Sequence, residues 1–360
     1  MKVFAFGSSI TSSYWNGAAT YYRGIYKQLH ALGHQVTFAE PDAYGRQQKR
    51  DADDFSYVNS IVYKGAEDIP ALLRQAAQCD LVIKHSGVGV FDELLEEKVL
   101  ECRSGNTTVA FWDVDAPATL ARVEANPADQ FRELIPEYDF IFTYGGGAPV
   151  VEHYRRLGAV NCHPIYNALD PETHYPVAPD PAFACDLLFV GHRLPDRERR
   201  VQEFFFRAAE LAPDCQFALG GEGWGGKRLP ANVRWFGHVG TGDHNRVNCS
   251  ARMVLNINRD SMAGVGFSPP TRVFEAAGAS ACLITDLWAG IENFFLPEKE
   301  ILVAGNAEEI VACLRNISAA AAQEIGANMR QRALRDHTYA LRAQEFDAIT
   351  ESAYAERMTT

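Results

Sequence analysis

Residues 163–183 carry five prolines and no regular period. On either side, short apolar runs alternate with amphipathic segments, so the chain reads as two α/β units joined by a proline-rich linker. Before the linker, strands are predicted at 2–7, 34–39, 61–63, 80–84, 108–112 and 139–143. Helices at 18–32, 68–77, 92–102 and up to Leu157 lie between them. After it the pattern restarts. Strands at 185–190, 216–219, 233–236, 253–257, 281–285 and 301–303 alternate with helices at 198–211, 244–250, 306–316 and 319–335, and a last helix runs over 339–356. Strand–helix alternation buries both faces of a parallel sheet. The predicted fold is α/β, two Rossmann-like doubly wound domains facing a cleft, with ligands at the carboxyl ends of the strands.

A chain of 360 residues is long enough for two cores. A net charge of −12 argues against nucleic acid as a partner, because a phosphate backbone needs a basic face. Apolar runs such as Leu187–Val190 are strand-length, so no stable membrane insertion is expected. The start Met1-Lys2-Val3-Phe4 reads as a strand rather than an export signal, which predicts cytoplasmic residence. Eight cysteines lie scattered without a C-x-x-C pair and are expected to be reduced thiols. No histidine pair has metal-ligand spacing, and His30 and His34 are separated by a helix-ending glycine. No cofactor and no obligate metal are expected. No G-x-G-x-x-G follows the first strand, so a dinucleotide site is not expected there, and no H-E-x-x-H, P-loop or G-x-S-x-G motif occurs.

The most informative stretch is Gly264 to Asp286, G-V-G-F-S-P-P-T-R-V-F-E-A-A-G-A-S-A-C-L-I-T-D. Two glycines and two prolines enforce a loop, and Pro269-Pro270 suit the start of a helix. Arg272 and Glu275 follow one turn apart, and a buried-type strand then ends in an acid. Loop, helix N-terminus and acidic strand tip are the parts of an anion or nucleotide site.

Several segments resemble the CgeB-like bacterial glycosyltransferases: S-I-T-S-S-Y-W-N-G-A-A-T-Y-Y-R, F-W-D-V-D-A-P-A-T-L, Y-N-A-L-D-P-E-T-H-Y-P-V, F-S-P-P-T-R-V-F-E-A-A and H-T-Y-A-L-R. The resemblance spans both halves in order. It implies the GT-B architecture, with an acceptor domain over 1–168, a nucleotide-sugar donor domain over 169–338, and a last helix, 339–360, crossing back to the first domain. It implies a nucleotide diphosphate sugar such as a UDP-sugar as co-substrate and a small-molecule or glycan acceptor. The second half also looks like the wider retaining GT-B group, in which a helix-borne Glu binds the nucleotide ribose. Glu275 in V-F-E-A-A matches it. Where that group usually has another Glu eight residues earlier, this chain has Phe267.

Sugar transfer requires that the diphosphate be held and its growing charge stabilised, and that the acceptor be oriented or deprotonated. Arg193, Arg197 and Arg272 are the candidates for the diphosphate, since guanidinium forks match phosphate oxygens. A solvated helix face would equally explain Arg197, and a local pair with Glu275 would explain Arg272. Asn258, Gly266 and Ser268 complete the expected donor site; turn propensity accounts for Asn258 as well. The glycine-dense run 220–226 reads as a flexible surface loop or as a backbone approach to the nucleotide. In the first domain, Asp115 is the candidate base and His85, at a strand tip, a candidate proton carrier; a helix cap and a hydrogen-bonded structural histidine are the alternatives. Thr11, Asn16, Arg23 and Asp113 are candidates for acceptor binding. Two further functions remain open: a GT-B-related sugar-nucleotide epimerase and a non-catalytic two-domain sugar-binding protein.

Overall fold

The computed structural model describes residues 1–51 and 55–358, with side chains through 352. Residues 52–54 of the irregular segment 40–58, and the last two residues of the chain, lie outside the described residues. The chain divides into two compact units, Met1–Asn167 with Tyr339–Thr360, and Ala168–Thr338.

In the first unit the strands are β1 Lys2–Phe6, β2 Gln35–Pro41, β3 Asn59–Tyr63, β4 Leu81–His85, β5 Thr108–Asp113, β6 Phe140–Thr143 and β7 Cys162–Pro164. The helices are α1 Ala18–Ala31, α2 Ile69–Ala76, α3 Asp92–Lys98, α4 Ala116–Ala125, α5 Gln130–Leu134 and α6 Gly147–Arg156. The strands form one sheet in the order β3-β2-β1-β4-β5-β6-β7, and every pairing is parallel. The order reverses between β1 and β4, the switch point at which an open α/β sheet leaves a crevice. β7 was hidden because its last residue is the first proline of the linker. Proline is tolerated there because the strand is at the sheet edge.

Every residue of β4 and β5 is buried, as expected of central strands covered on both faces. The helix at the end of the chain, Tyr339–Met358, packs on α1 within this unit. The Tyr21 and Tyr339 ring centroids are 5.8 Å apart, and Phe346 stacks on Trp112 at 5.1 Å and 19°. Trp112 and Phe346 are fully buried, so this contact removes a large aromatic area from water.

The second unit contains β8 Cys185–Val190, β9 Phe217–Gly220, β10 Val233–Gly237, β11 Ala251–Asn256, β12 Leu283–Asp286 and β13 Leu302–Ala304. Its helices are α7 Pro195–Val201, α8 Arg207–Leu211, α9 Thr241–Ser250, α10 Asp260–Val265, α11 Thr271–Gly278, α12 Ala307–Asn316 and α13 Ala319–Asp336; the chain-terminal helix is then α14. The sheet order is β10-β9-β8-β11-β12-β13, again all parallel. The switch point lies between β8 and β11. The helix expected over 198–211 starts earlier, at Pro195, and contains a π-helical turn over Gln202–Phe206. That turn aims Phe204, Phe205 and Phe206 into the core beside Trp224 and Phe217.

The first loop of the chain is tied down by ion pairs. Asp51 accepts from Arg23 at 2.7 Å and from the Ser13 hydroxyl at 2.6 Å. Burial pushes the Asp51 carboxyl up, but Arg23 and Ser13 outweigh it and hold it well below the usual aspartate range. A carboxylate depressed in this way contributes stability above the ordinary aspartate value and loses it as pH falls below that value. Asp51→Asn is therefore expected to lower stability by about 1 kcal/mol at pH 7. The difference from wild type should begin to shrink below about pH 4 and keep shrinking to below pH 2, as the folded carboxyl takes up its proton. Urea unfolding across that range checks this; a pH-independent difference would contradict it.

Candidate functional site

The geometry of the second unit concentrates polar side chains at the carboxyl ends of β8, β11 and β12. Pro270 is the N-cap of α11, and Arg272 is the second residue of the helix. Its Nε donates to the carbonyl of Val190 at 2.5 Å, and its Nη1 to Asn256 Oδ1 at 2.7 Å. Val190 ends β8 and Asn256 ends β11, so this side chain spans the switch point.

Arg197, on α7, lies beside it. Both guanidinium carbons sit over the Phe189 ring, at 5.6 Å for Arg197 and 5.3 Å for Arg272. Arg197 donates to the His192 carbonyl, and its Nε is buried with no partner among the described residues. Neither arginine makes a salt bridge among the described residues, although each is largely buried. Burial and then the neighbouring Arg272 push the Arg197 pKa down to about 9. Burial also lowers that of Arg272. Arg197, buried, and Arg272, partly buried, thus lie side by side with no carboxylate bridge between them, a pair that an anion would complement.

Arg193 is placed differently. It is more than a third exposed and pairs with Glu198 at 2.7 Å. Its own carboxylate partner satisfies it, so Arg197 rather than Arg193 is the loop arginine at the switch point. His192, next to it, stacks on His238 with centroids 6.2 Å apart and planes 4° apart. Burial, then His238 and the arginines, lower its pKa to about 4, so it is a neutral ring at pH 7. The glycine-dense run is exposed at Gly223, Gly225 and Gly226 but is anchored through Trp224. Trp224 is fully buried and donates to the Gly191 carbonyl at 2.8 Å. Gly221 has φ +110°, and a Cβ there would lie 2.4 Å from the Gly191 oxygen, so only glycine fits.

Glu275 lies one turn beyond Arg272 and is 7% exposed. Burial raises its pKa, but His244, then His174 and Arg272, outweigh it and hold it at about 2. Its Oε2 is 3.4 Å from His244 Nδ1. His174, His244 and Glu275 each bring one ligand-capable atom, all within 4.8 Å of one another. Asn258 is buried; its backbone N–H donates to Asp286 Oδ2 at 3.1 Å and its Oδ1 accepts from Asn256 at 3.3 Å. Gly266, at φ +76°, ends α10, and a Cβ there would meet the Ala289 oxygen at 2.6 Å. Ser268 is buried and donates to the Gly266 carbonyl at 2.9 Å. Phe267 adopts φ +48°, with its N–H on the Ala289 carbonyl at 2.7 Å. The acid at the end of the opening stretch, Asp286, is fully buried and paired with Arg200 at 2.6 Å. It supports the site and does not face a ligand.

In the first unit, His85 has no exposed surface and shares a 2.5 Å hydrogen bond with the Tyr26 hydroxyl. Tyr22, Phe38 and Trp112 surround its ring. Burial, then Lys84, push its pKa down to about 3. His85 is thus a neutral core residue and not a proton carrier at a strand tip. Asp113 is also fully buried, accepting from Ser86 at 2.7 Å, Tyr154 at 2.5 Å, Thr119 at 3.1 Å and the Asp115 N–H at 2.9 Å. It braces the loop after β5 rather than meeting an acceptor. Asp115 is the N-cap residue of α4, and its carbonyl accepts from the N–H groups of Ala118 and Thr119; the residue is partly exposed, with its Oδ1 buried. Thr11 donates to the buried Glu40. Asn16 donates to the carbonyls of Ser9 and Ser12 at 2.7 and 3.0 Å. Arg23 donates to the Ile10 carbonyl at 2.8 Å and pairs with Asp51. These three hold the shape of the loop after β1.

Residues 197–348 match the model of a family described as glycosyl transferase-like. No curated protein sequence matches the chain. Among solved structures, sucrose-phosphate synthase from Thermosynechococcus elongatus is similar at 14% identity and TM-score 0.70, covering 99% of this chain and 100% of that one. Anabaena HepE in complex with UDP-glucose is similar at 10% identity and TM-score 0.68, covering 98% and 100%. AviGT4, a glycosyltransferase involved in avilamycin A biosynthesis, is similar at 18% identity and TM-score 0.62, covering 99% and 98%. The fold is that of the GT-B glycosyltransferases. The resemblance to the CgeB-like enzymes drawn from the sequence is borne out by the matched segment, which holds Arg197, Arg272 and Glu275. Among the described residues no helix is long and apolar enough to cross a membrane.

If Asp286 is a support and not a ligand, its cost is stability. Arg200→Met, which strands a buried carboxylate, is expected to lower unfolding free energy by about 3–5 kcal/mol. The double variant Arg200→Met with Asp286→Asn should recover most of that loss, as read by urea unfolding.

Proposed function

We propose that this chain transfers a hexosyl group from a UDP-sugar to a small-molecule or glycan acceptor, without a divalent cation on the diphosphate. The observation that carries this reading is the pair Arg197, buried, and Arg272, partly buried, over Phe189 at the switch point of the second unit. A nucleoside diphosphate brings the negative charge this pair lacks. As the glycosidic bond breaks, negative charge grows on the departing phosphate, and two preorganised guanidiniums stabilise it where a metal ion would otherwise be needed. Because Arg272 is already held by Val190 and Asn256, little reorganisation is required when that charge develops.

Glu275 is the partner for the ribose. It stays ionised at every pH of interest, and an ionised carboxylate accepts from a vicinal diol with charge-assisted bonds. The solved neighbours support the choice of nucleotide: HepE was crystallised with UDP-glucose and with UDP and glucose, and an α-glucosyltransferase with UDP. On the first unit, Asp115 acts as the base that takes the acceptor proton. Asp113 ends β5 and is fully buried, whereas Asp115, the next acid, is only partly buried.

Calorimetry with UDP is expected to show that Arg272→Ala weakens binding about 30- to 100-fold. A release assay with UDP-, GDP- and dTDP-sugars against a panel of sugar acceptors should select a UDP donor. Its rate should stay within about twofold when Mg²⁺ or Mn²⁺ is added. Asp115→Asn should cut turnover about 100-fold with donor affinity retained. If no nucleotide protects the protein thermally, and Glu275→Ala matches wild type, the reading fails. An epimerised sugar nucleotide formed with no acceptor present would move the assignment to an epimerase.

A further inference from the structure

We propose that His174, His244 and Glu275 form a zinc-type divalent metal site behind the ribose carboxylate. The inference rests on the position of Glu275 and needs no bound nucleotide. His174 is 2% exposed, yet neither of its ring nitrogens has a hydrogen-bond partner among the described residues. A buried imidazole with both nitrogens unsatisfied is costly unless something is coordinated there.

The distances suit an ion better than a hydrogen bond. His244 Nδ1 and Glu275 Oε2 are 3.4 Å apart. That is long for a hydrogen bond, but two ligands of one tetrahedral ion with bonds of about 2.0–2.1 Å lie roughly 3.3–3.4 Å apart. The third ligand atom, on His174, lies within 4.8 Å of the others, so a small ring shift completes the set. Two imidazoles and one carboxylate, with a fourth position for water, is a common zinc donor set.

The surroundings hold the ligands in place. His244 Nδ1 is buried with no hydrogen-bond partner among the described residues, and it points to Glu275. His174 sits on a turn built by Asp170, which accepts from the Thr173 hydroxyl at 2.7 Å while its carbonyl accepts from the His174 N–H at 2.9 Å. Asn245, the neighbour of His244, accepts from the Tyr175 N–H at 3.3 Å and donates to the Thr173 carbonyl at 2.9 Å. The two histidines are thereby clamped to each other through backbone on both sides of His174. The expectation that no histidine has metal spacing looked for neighbours in sequence; these ligands are 70 and 31 positions apart (244 − 174 and 275 − 244).

The test is metal content of the full chain without any donor sugar. After dialysis against Zn²⁺ and removal of loose ions, elemental analysis is expected to find about one zinc per chain in wild type. His174→Phe, which keeps the buried volume, and His244→Gln should each fall below about a tenth of that. Less than a tenth of an equivalent in wild type, or equal zinc in the variants, overturns the proposal. Should the variants fail to fold, Co²⁺-loaded wild type decides: visible bands of nitrogen and oxygen ligation support it, and sulfur-to-metal charge-transfer bands overturn it by placing the ion on cysteine. UDP binding is measured separately, so loss of the metal claim leaves the donor reading standing, and the reverse.

Discussion

The second unit is organised by one guanidinium across one gap. A doubly wound sheet must reverse its strand order somewhere, and there two neighbouring strands send their connections to opposite faces. Between β8 and β11 the Arg272 side chain closes that gap by bonding the last residue of each strand. The bonds fix its position and use only neutral acceptors, so the positive charge is not cancelled. Phe189 beneath it and Arg197 beside it keep the charge in a low-dielectric setting. A second layer carries the cost: Asp286 faces Arg200, and Asp196 faces Arg259. Acids pair with the outer arginines, and the inner two make no salt bridge among the described residues.

The parts of this arrangement differ in how far they could be read from the chain. The alternation of strands and helices, the restart after the prolines and the helix bearing Arg272 and Glu275 are local patterns, and each has its expected place. The sequence favours Arg193 over Arg197, and the structure reverses the order, because the choice depends on which side of α7 faces β8 and Glu198 claims Arg193. His85 shows the same limit from the other side. Its strand end was legible, but the aromatic rings of α1 and β5 that cover it come from 59 and 27 positions away at Tyr26 and Trp112 (85 − 26 and 112 − 85). The pairing of His174 with His244 has no local signature, since it depends on α9 packing against the loop after Asp170.

Helix α14 has a consequence for how the chain is made. Its Phe346 stacks on Trp112, and Tyr339 meets Tyr21, all inside the first unit, although the whole second unit is translated in between. The amino-terminal sheet therefore leaves the ribosome with an uncovered aromatic face. It stays so until α14 has been made. The second unit is a continuous segment and can close its core first, so assembly runs opposite to the usual order of synthesis. Closing a loop of that length slows the last docking step, and an exposed Trp112 face is the hazard while it waits. A chain truncated before Tyr339 would carry that face permanently and would depend on chaperones for solubility.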